Sequence, residues 1–398
     1  MVRKMINNMN LSQKILLKAG HLLCGRDFQL KKDMAVVIED GIIKEITPYE
    51  HAPQDHGFQL IDGSALFLLP GLIDAHNHLS LDAGLPAYLE KMADPLPALV
   101  LRAAKNIEKD VLAGVTTMRC LGDKEYLDVH CRNFIHSGVY KGPRIVLSGK
   151  GIRSSAGHGF VGYPFDGPEA IRLAVRENIR QGADIIKFYV TGTLPSKGGI
   201  TCFLSQEEIE IIVAEAKRMG RPTAVHCVGG IGFDWCLDAG VDVIEHGYFL
   251  TEKQIDRLHG SSAQLVMTPG FYMLDQRIQA MPGPLVELHR EAAGMARSTM
   301  EAIVRSGIPY ALGTDGVHGS GSMAAEMSCL AALGASPRAA LSAATNCGAK
   351  VCGLQSVTGC IAVGMSADLI GVKANPMVNL ETLTDIRCVI AQGKVMKA

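Results

Sequence analysis

Three absences in this 398-residue chain each remove a class of function. There is no excess of charge of either sign: Lys and Arg number 39 against 40 Asp and Glu, a formal net charge of −1. An electrostatic footprint for nucleic acid or an anionic membrane is therefore not expected. There is no paired-cysteine pattern either. The 11 cysteines are scattered, odd in number and free of any CxxC, which fits neither a disulfide framework nor a zinc ribbon and points to reduced thiols in a cytoplasmic protein. Finally, no apolar run approaches the length that spans a bilayer. The opening "MVRKMINNMNLSQK" has two early basic residues but no apolar segment behind them, unlike a signal peptide. What remains is a soluble chain, 47% hydrophobic and 20% charged, large enough to bury a substantial core. The expected partners are a small-molecule substrate and further copies of itself.

What is present falls into three zones. Residues 13–66 carry short β-rich runs ("KILLKAGHLL", "MAVVIEDGIIKEITP", "FQLIDGSALFLLP") broken by turn residues such as Asp40 and Gly41. Residues 356–398 read the same way, in "GCIAVGMSADLIGV" and "IRCVIAQGKVMK". Because chain ends often lie together, the two are expected to form one small β-sandwich domain. Between them, residues 67–355 alternate eight apolar runs with amphipathic segments. The runs are "LLPGLIDAHNH", "TTMRCLGD", "RIVLSGKG", "DIIKFYVTG", "PTAVHCVGG", "VIEHGYF", "QLVMTPG" and "PYALGTDG". In "SQEEIEIIVAEAKRMG" Ser205 caps a helix, Glu208 completes the box and Gly220 ends it. Strand and helix repeated eight times predict an α/β fold, a closed TIM-type (β/α)8 barrel with strands buried on both faces. A doubly wound open sheet is the competitor, but no GxGxxG follows the first strand.

In such a barrel chemistry sits at the C-terminal ends of the strands, and polar residues do come late in these runs. His76 and His78, two apart, project to the same side of a strand. His226, His246 and Asp315 close the fifth, sixth and eighth runs. Each has an ordinary reading taken singly: a satisfied core histidine, a turn-forming aspartate. Five together at successive strand ends are harder to dismiss. Lys187, inside "GADIIKFYVTG", is the odd residue, since an unpaired lysine is rarely buried. Four imidazoles and a carboxylate can hold two divalent cations, whose mutual repulsion calls for a bridging anion. A desolvated, deprotonated lysine that adds carbon dioxide becomes such an anion, a carbamate.

The order HxH, Lys, His, His, Asp, with "PGLIDAHNH" before it and "AATNCGAKVCGL" and "GCIAVGMSADLIGV" after it, resembles the binuclear amidohydrolase superfamily over nearly the whole chain. The resemblance implies that His76, His78 and Asp315 hold the more buried metal and His226 and His246 the outer one. A carboxylated Lys187 and a hydroxide would bridge them. Zinc suits the mixed imidazole and oxygen shell, although manganese, cobalt or iron would fit it. Asp315 and Lys187 are thus the expected catalytic residues, with Asp315 moving the proton from the nucleophile to the leaving amine.

Deaminases of the superfamily carry a glutamate three residues after the fifth-strand histidine, where this chain has Gly229. That departure also counts against close similarity to imidazolonepropionase. The sequence looks most similar to the prolidase-like and Xaa-Arg/Lys carboxypeptidase-like group, on the strength of "SSAGHGF" and "EHGYF". This implies a metal-dependent hydrolase of dipeptides or N-acyl amino acids, with His158 and Tyr248 on the substrate and Arg153 pairing with its carboxylate. A binuclear hydrolase that opens a cyclic amide or lactam is the alternative, ahead of a deaminase or a non-catalytic scaffold. The loop "TGTLPSKGGITCFLS" borders the pocket, with Lys197 read as solvated. His289 is read as facing solvent, and neither it nor His318 is given a catalytic role.

Overall fold

Alternating apolar and polar residues lay the two ends of the chain into one sheet. The computed structural model describes residues 14–53, 57–196 and 198–398, so the opening segment and Lys197 lie outside the described residues. Strands β1 (Lys14–Cys24), β2 (Gln29–Glu39), β3 (Ile42–Pro48) and β4 (Gln59–Pro70) come from the N-terminal end. The turn between β2 and β3 places Asp40 and Gly41 both at positive φ (50° and 78°), the geometry that lets a two-residue hairpin follow the strand twist. Strands β15 (Leu369–Val372), β16 (Cys388–Ala391) and β17 (Lys394–Lys397) join them across the whole sequence, in the order β17-β16-β15-β4-β1-β2-β3. Hydrogen bonding thus gives a single seven-stranded mixed sheet where a two-sheet sandwich was expected. Strand β4 runs on past residue 66 and turns at Gly71 straight into the next element.

All eight apolar runs of the middle zone are strands. They are β5 (Leu72–Asn77), β6 (Val115–Cys120), β7 (Arg144–Leu147), β10 (Ile186–Tyr189), β11 (Thr223–Gly229), β12 (Val243–Phe249), β13 (Gln264–Met267) and β14 (Tyr310–Leu312), with two short strands, β8 (Ile152–Arg153) and β9 (Tyr163–Pro164), after β7. The ladders are parallel and fall into two sheets, β5-β6-β7 and β14-β13-β12-β11-β10-β8-β9, rather than one closed ladder. A few backbone bonds cross the two seams. Leu147 C=O accepts from Asp184 N–H (2.9 Å) and Ile185 N–H (3.3 Å), and His76 C=O accepts from Asp315 N–H (2.8 Å). At the second seam a Cβ on Gly313 would lie 2.4 Å from that of His76, so only glycine permits the approach.

Helices connect the strands with the signals expected. Helix Gln206–Arg218 begins in a reciprocal box: Ser205 Oγ accepts from Glu208 N–H, and Glu208 Oε2 accepts from Ser205 N–H at 2.8 Å. Helix Gly283–Ser306 follows its proline turn, but His289 is buried, not solvent-facing; its Nε2 lies 2.8 Å from Phe271 C=O and its ring stacks on Tyr272. No helix among the described residues is long and apolar enough to cross a membrane.

Candidate metal centre

Period-two alternation decides which side chains meet. Ile186 and Phe188 turn outward into the large core, and Ile185 and Lys187 turn inward. Val225 and Ile244 likewise face out, whereas Ala224 and Val243 join Ile185, Val266 and Ala311 in a small apolar floor inside the strands. One inward position further along, the floor gives way to charge. Lys187, Arg119 and Glu245 are each fully buried there.

In a regular strand Glu245 and His246 would face opposite ways. Here His246 (φ +77°) and Gly247 (φ +63°) are both left-handed, and this bend turns two consecutive side chains to the same side. Left-handed backbone at a non-glycine residue is costly and persists where surrounding structure enforces it. Asp315, at φ +51°, is a second such residue.

The histidines are oriented from behind. His76 Nδ1 donates to Glu245 Oε2 (2.8 Å), whose other oxygen accepts from Arg119 Nη2 (2.6 Å). His78 Nδ1 donates to Gly122 C=O (2.9 Å), and His246 Nδ1 meets Thr268 Oγ1 (2.7 Å). A proton held on Nδ1 leaves the Nε2 lone pair free, as a ligating imidazole requires. His76 Nε2 and His78 Nε2 each lie 3.4 Å from Asp315 Oδ1. These three residues bring their ligand atoms within 4.8 Å of one another, a spacing that could hold a metal ion. The His246 ring centroid is 4.7 Å from that of His76 and 4.6 Å from that of His226. The same end of the strands opens into a cavity of about 80 Å³, reached by His76, His78, His158, His226 and Asp315.

Comparison with known proteins supplies the family. Residues 67–396 match the model of the amidohydrolase family. The chain belongs to that family. Its members generally use divalent metal ions. This amidohydrolase is similar in structure to a Xaa-Pro dipeptidase solved with methionine in its active site, with 29% identity, a TM-score of 0.86, and 97% of this chain and 100% of that chain covered. It is 26% identical to the ochratoxinase of Aspergillus niger over 94% of this chain and 84% of that protein. A 5-methylthioadenosine/S-adenosylhomocysteine deaminase of Halobacterium salinarum is 25% identical over 79% of this chain and 74% of its own length.

Electrostatics in the amidohydrolase favour neutral imidazoles. Burial lowers the His76 pKa to about 4 and pulls those of His226 and His246 well below the usual histidine value. Burial alone would raise Asp315, but the neighbouring His78, His76 and Arg277 hold its carboxyl well below the ordinary range. Lys187 is the anomaly. Burial lowers its pKa to about 8, and its Nζ has no hydrogen-bond partner. A buried amine without a hydrogen bond, facing only the Tyr189 ring at 5.0 Å, is costly as a cation.

Two of the residues expected on the substrate stand elsewhere. Tyr248 is fully buried, and its hydroxyl donates to Thr268 C=O (2.9 Å), so it braces the partner of His246 instead of facing the cavity. Arg153 spends its Nη1 on the carbonyls of Ser154, Ser155 and Gly157 in its own loop. His158 does line the cavity, with its ring 4.6 Å from that of His226 and its Nε2 3.0 Å from Thr193 Oγ1. Both ring nitrogens of His318 are engaged, Nδ1 with Asp110 and Nε2 with Leu81 C=O, each at 2.7 Å.

Sequence reading missed Glu245, Arg119, Asp74 and Arg277. Asp74 accepts from Thr314 Oγ1 (2.7 Å) and N–H (3.1 Å), fastening β5 to the end of β14 beside Asp315. Arg119 in "TTMRCLGD" carried the same signal as Lys187, a charge inside an apolar strand. Glu245 lay hidden by the local bend, and Arg277 sits on a short helix (Asp275–Ala280) whose placement depends on tertiary packing.

Proposed function

We propose that this protein is a binuclear metal-dependent hydrolase of C–N amide bonds, acting on dipeptides or N-acyl amino acids. One observation carries the reading: Lys187 Nζ is buried with no hydrogen-bond partner, only the Tyr189 ring 5.0 Å away, on the strand next to His226, at the site where His76, His78 and Asp315 converge. Two imidazoles, His226 and His246, are too few donors for a second ion. Lys187 carboxylated by carbon dioxide would be the third, and would turn a buried cation into an anion facing that site. An amine with a pKa near 8 has a reactive neutral fraction at neutral pH. The donor set of nitrogen and oxygen suits zinc.

When bound, the two ions supply an activated water and polarise the scissile carbonyl. The chain's own groups do the rest. Glu245 and Arg119 fix the tautomer and direction of His76. Asp315, with one oxygen on the His76 and His78 corner, receives the nucleophile's proton and passes it to the leaving amine. His158 and Thr193 face the cavity, where they can donate to the substrate carbonyl or its tetrahedral successor.

The same reading takes the two parallel sheets as arcs of one eightfold barrel, supported by the hydrogen bonds at both seams, with the chemistry in residues 67–355 and a supporting domain in 13–66 and 356–398. Eleven free thiols support a cytoplasmic setting, and a homo-oligomer remains part of the proposal. The test is metal analysis of protein grown with zinc and bicarbonate, followed by a panel of dipeptides, N-acyl amino acids and cyclic amides. Close to two metals per chain with turnover of linear amides is expected. Turnover of lactam or hydantoin-like rings alone would assign the ring-opening alternative, and one metal or none in fully loaded protein would refute the binuclear mechanism.

A further inference from the structure

We infer that Arg277 reads a carboxylate on the substrate, and that by taking it up Arg277 releases Asp315 for proton transfer. The inference rests on the amide-hydrolase reading and assigns the residue that reads the free carboxylate which dipeptides and N-acyl amino acids carry beside the scissile nitrogen. Among the described residues lining the cavity, Arg277 is the one lysine or arginine; apart from Asp315, Thr193 and Gly159 the rest of the wall is imidazole, aromatic or aliphatic, including Leu81, Tyr88, Leu89, Phe160 and Val161. A cavity built this way has one group that can neutralise an anion, and its apolar wall suits an uncharged side chain.

Arg277 is only 5% exposed, and its guanidinium is split between two tasks. Nη1 donates to the backbone carbonyls of Thr314 (3.2 Å) and Asp315 (2.8 Å), which fixes that half of the fork whether or not ligand is present. Nη2 donates to Asp315 Oδ2 (3.1 Å). Asp315 is therefore divided too, with Oδ1 toward His76 and His78 and Oδ2 held by arginine. A carboxylate oxygen paired with a guanidinium is a poorer proton acceptor than a free one. A substrate carboxylate arriving in the cavity offers Nη2 an alternative anionic partner, while Nη1 keeps the guanidinium in place. The exchange leaves Oδ2 free. A substrate without the carboxylate leaves Asp315 pinned, so its loss should appear in kcat as well as KM. The competing account makes Arg277 a clamp on the left-handed turn at Asp315 and nothing more.

The test compares N-acetyl-L-methionine with N-acetyl-L-methioninamide on the metal-loaded full chain, following acetate release. Wild-type kcat/KM should favour the acid on the order of 10²-fold, with at least about tenfold of this in kcat. In Arg277→Met the ratio should fall to near unity while metal content holds, with a lower melting temperature because the Thr314 and Asp315 carbonyls lose their donor; Arg277→Lys should keep about tenfold, because a point charge remains. Wild-type rates equal for acid and amide, or an Arg277→Met that keeps the wild-type ratio, would overturn the inference and leave amide hydrolysis standing. If neither compound is turned over, calorimetry with L-methionine and L-methioninamide decides: tighter binding of the free acid, lost in Arg277→Met, supports it, and equal binding overturns it. A wild type that hydrolyses no linear amide in the wider panel refutes the parent reading, and this inference with it.

Discussion

One residue separates Ile185 from Lys187, Ala224 from His226 and Val243 from Glu245. In each case the first belongs to hydrocarbon and the second to a site. The floor and the charged layer above it are about 7 Å apart along the same strands, yet they differ as much as a core differs from an active site. The strand fixes where a side chain stands, and the residue chosen sets the chemistry there. The lower layer should answer to substitution through stability, and the upper one through metal and activity.

The largest expected effect is in the upper layer. Lys187→Ala should lose the second metal and lower activity on the order of 10³-fold or more, while the metal-free variant should melt at or above metal-free wild type because a buried amine without a hydrogen-bond partner is gone. Elemental analysis and turnover check this, and a variant that kept two metals would dissolve the contrast. In the floor, Ile185→Ala should cost about 3 kcal/mol by urea denaturation and leave metal content and KM unchanged. Loss of metal there would mean that the two layers are not separable.

Glu245→Gln keeps the shape of the upper layer but removes the charge behind His76 and leaves Arg119 without its counter-ion. A fall in metal affinity of about 10–100-fold is expected by competitive chelation. The smallest effect lies outside both layers. Burial pulls the His318 pKa down, but Asp110 more than offsets it and sets it at about 9, above the unfolded value near 6.5. The pair's stabilisation is thus fully present below pH 6.5 and lost as pH rises through 9, about 2 kcal/mol between pH 7 and 9. His318→Gln should flatten that part of the stability profile; an unchanged slope would assign the loss to other groups.

The strands of the middle zone were legible because parallel strands covered on both faces are apolar runs of recognisable length, and His76, His78, His226, His246 and Asp315 because each ends one. Two kinds of information were not. Alternation assigns Glu245 to the face opposite His246, and only the left-handed backbone at 246 and 247 reverses that; no residue type other than Gly247 hints at it. Tyr248 and Arg153 were misplaced for a related reason: lying near a strand end or on a bordering loop does not say whether a hydroxyl or guanidinium is already spent on a backbone carbonyl. His289 looked amphipathic on its helix, and only packing against Phe271 and Tyr272 reveals that it is inside. The seams between the two parallel sheets and the single sheet of the chain ends depend on register, which hydropathy does not encode.

The pairing of β4 with β15 sets an order of events during synthesis. Leu69 waits for Ile370, and at roughly 5–20 residues per second the wait lasts some tens of seconds. Throughout it β1, β2 and β3 can form with β4, whose outer edge stays open and apolar at Leu68 and Leu69. An unpaired edge of this kind invites strand addition from another nascent chain, so the folded protein is reached through an intermediate whose hazard is aggregation, and β15, made long after β4, is the strand that removes it.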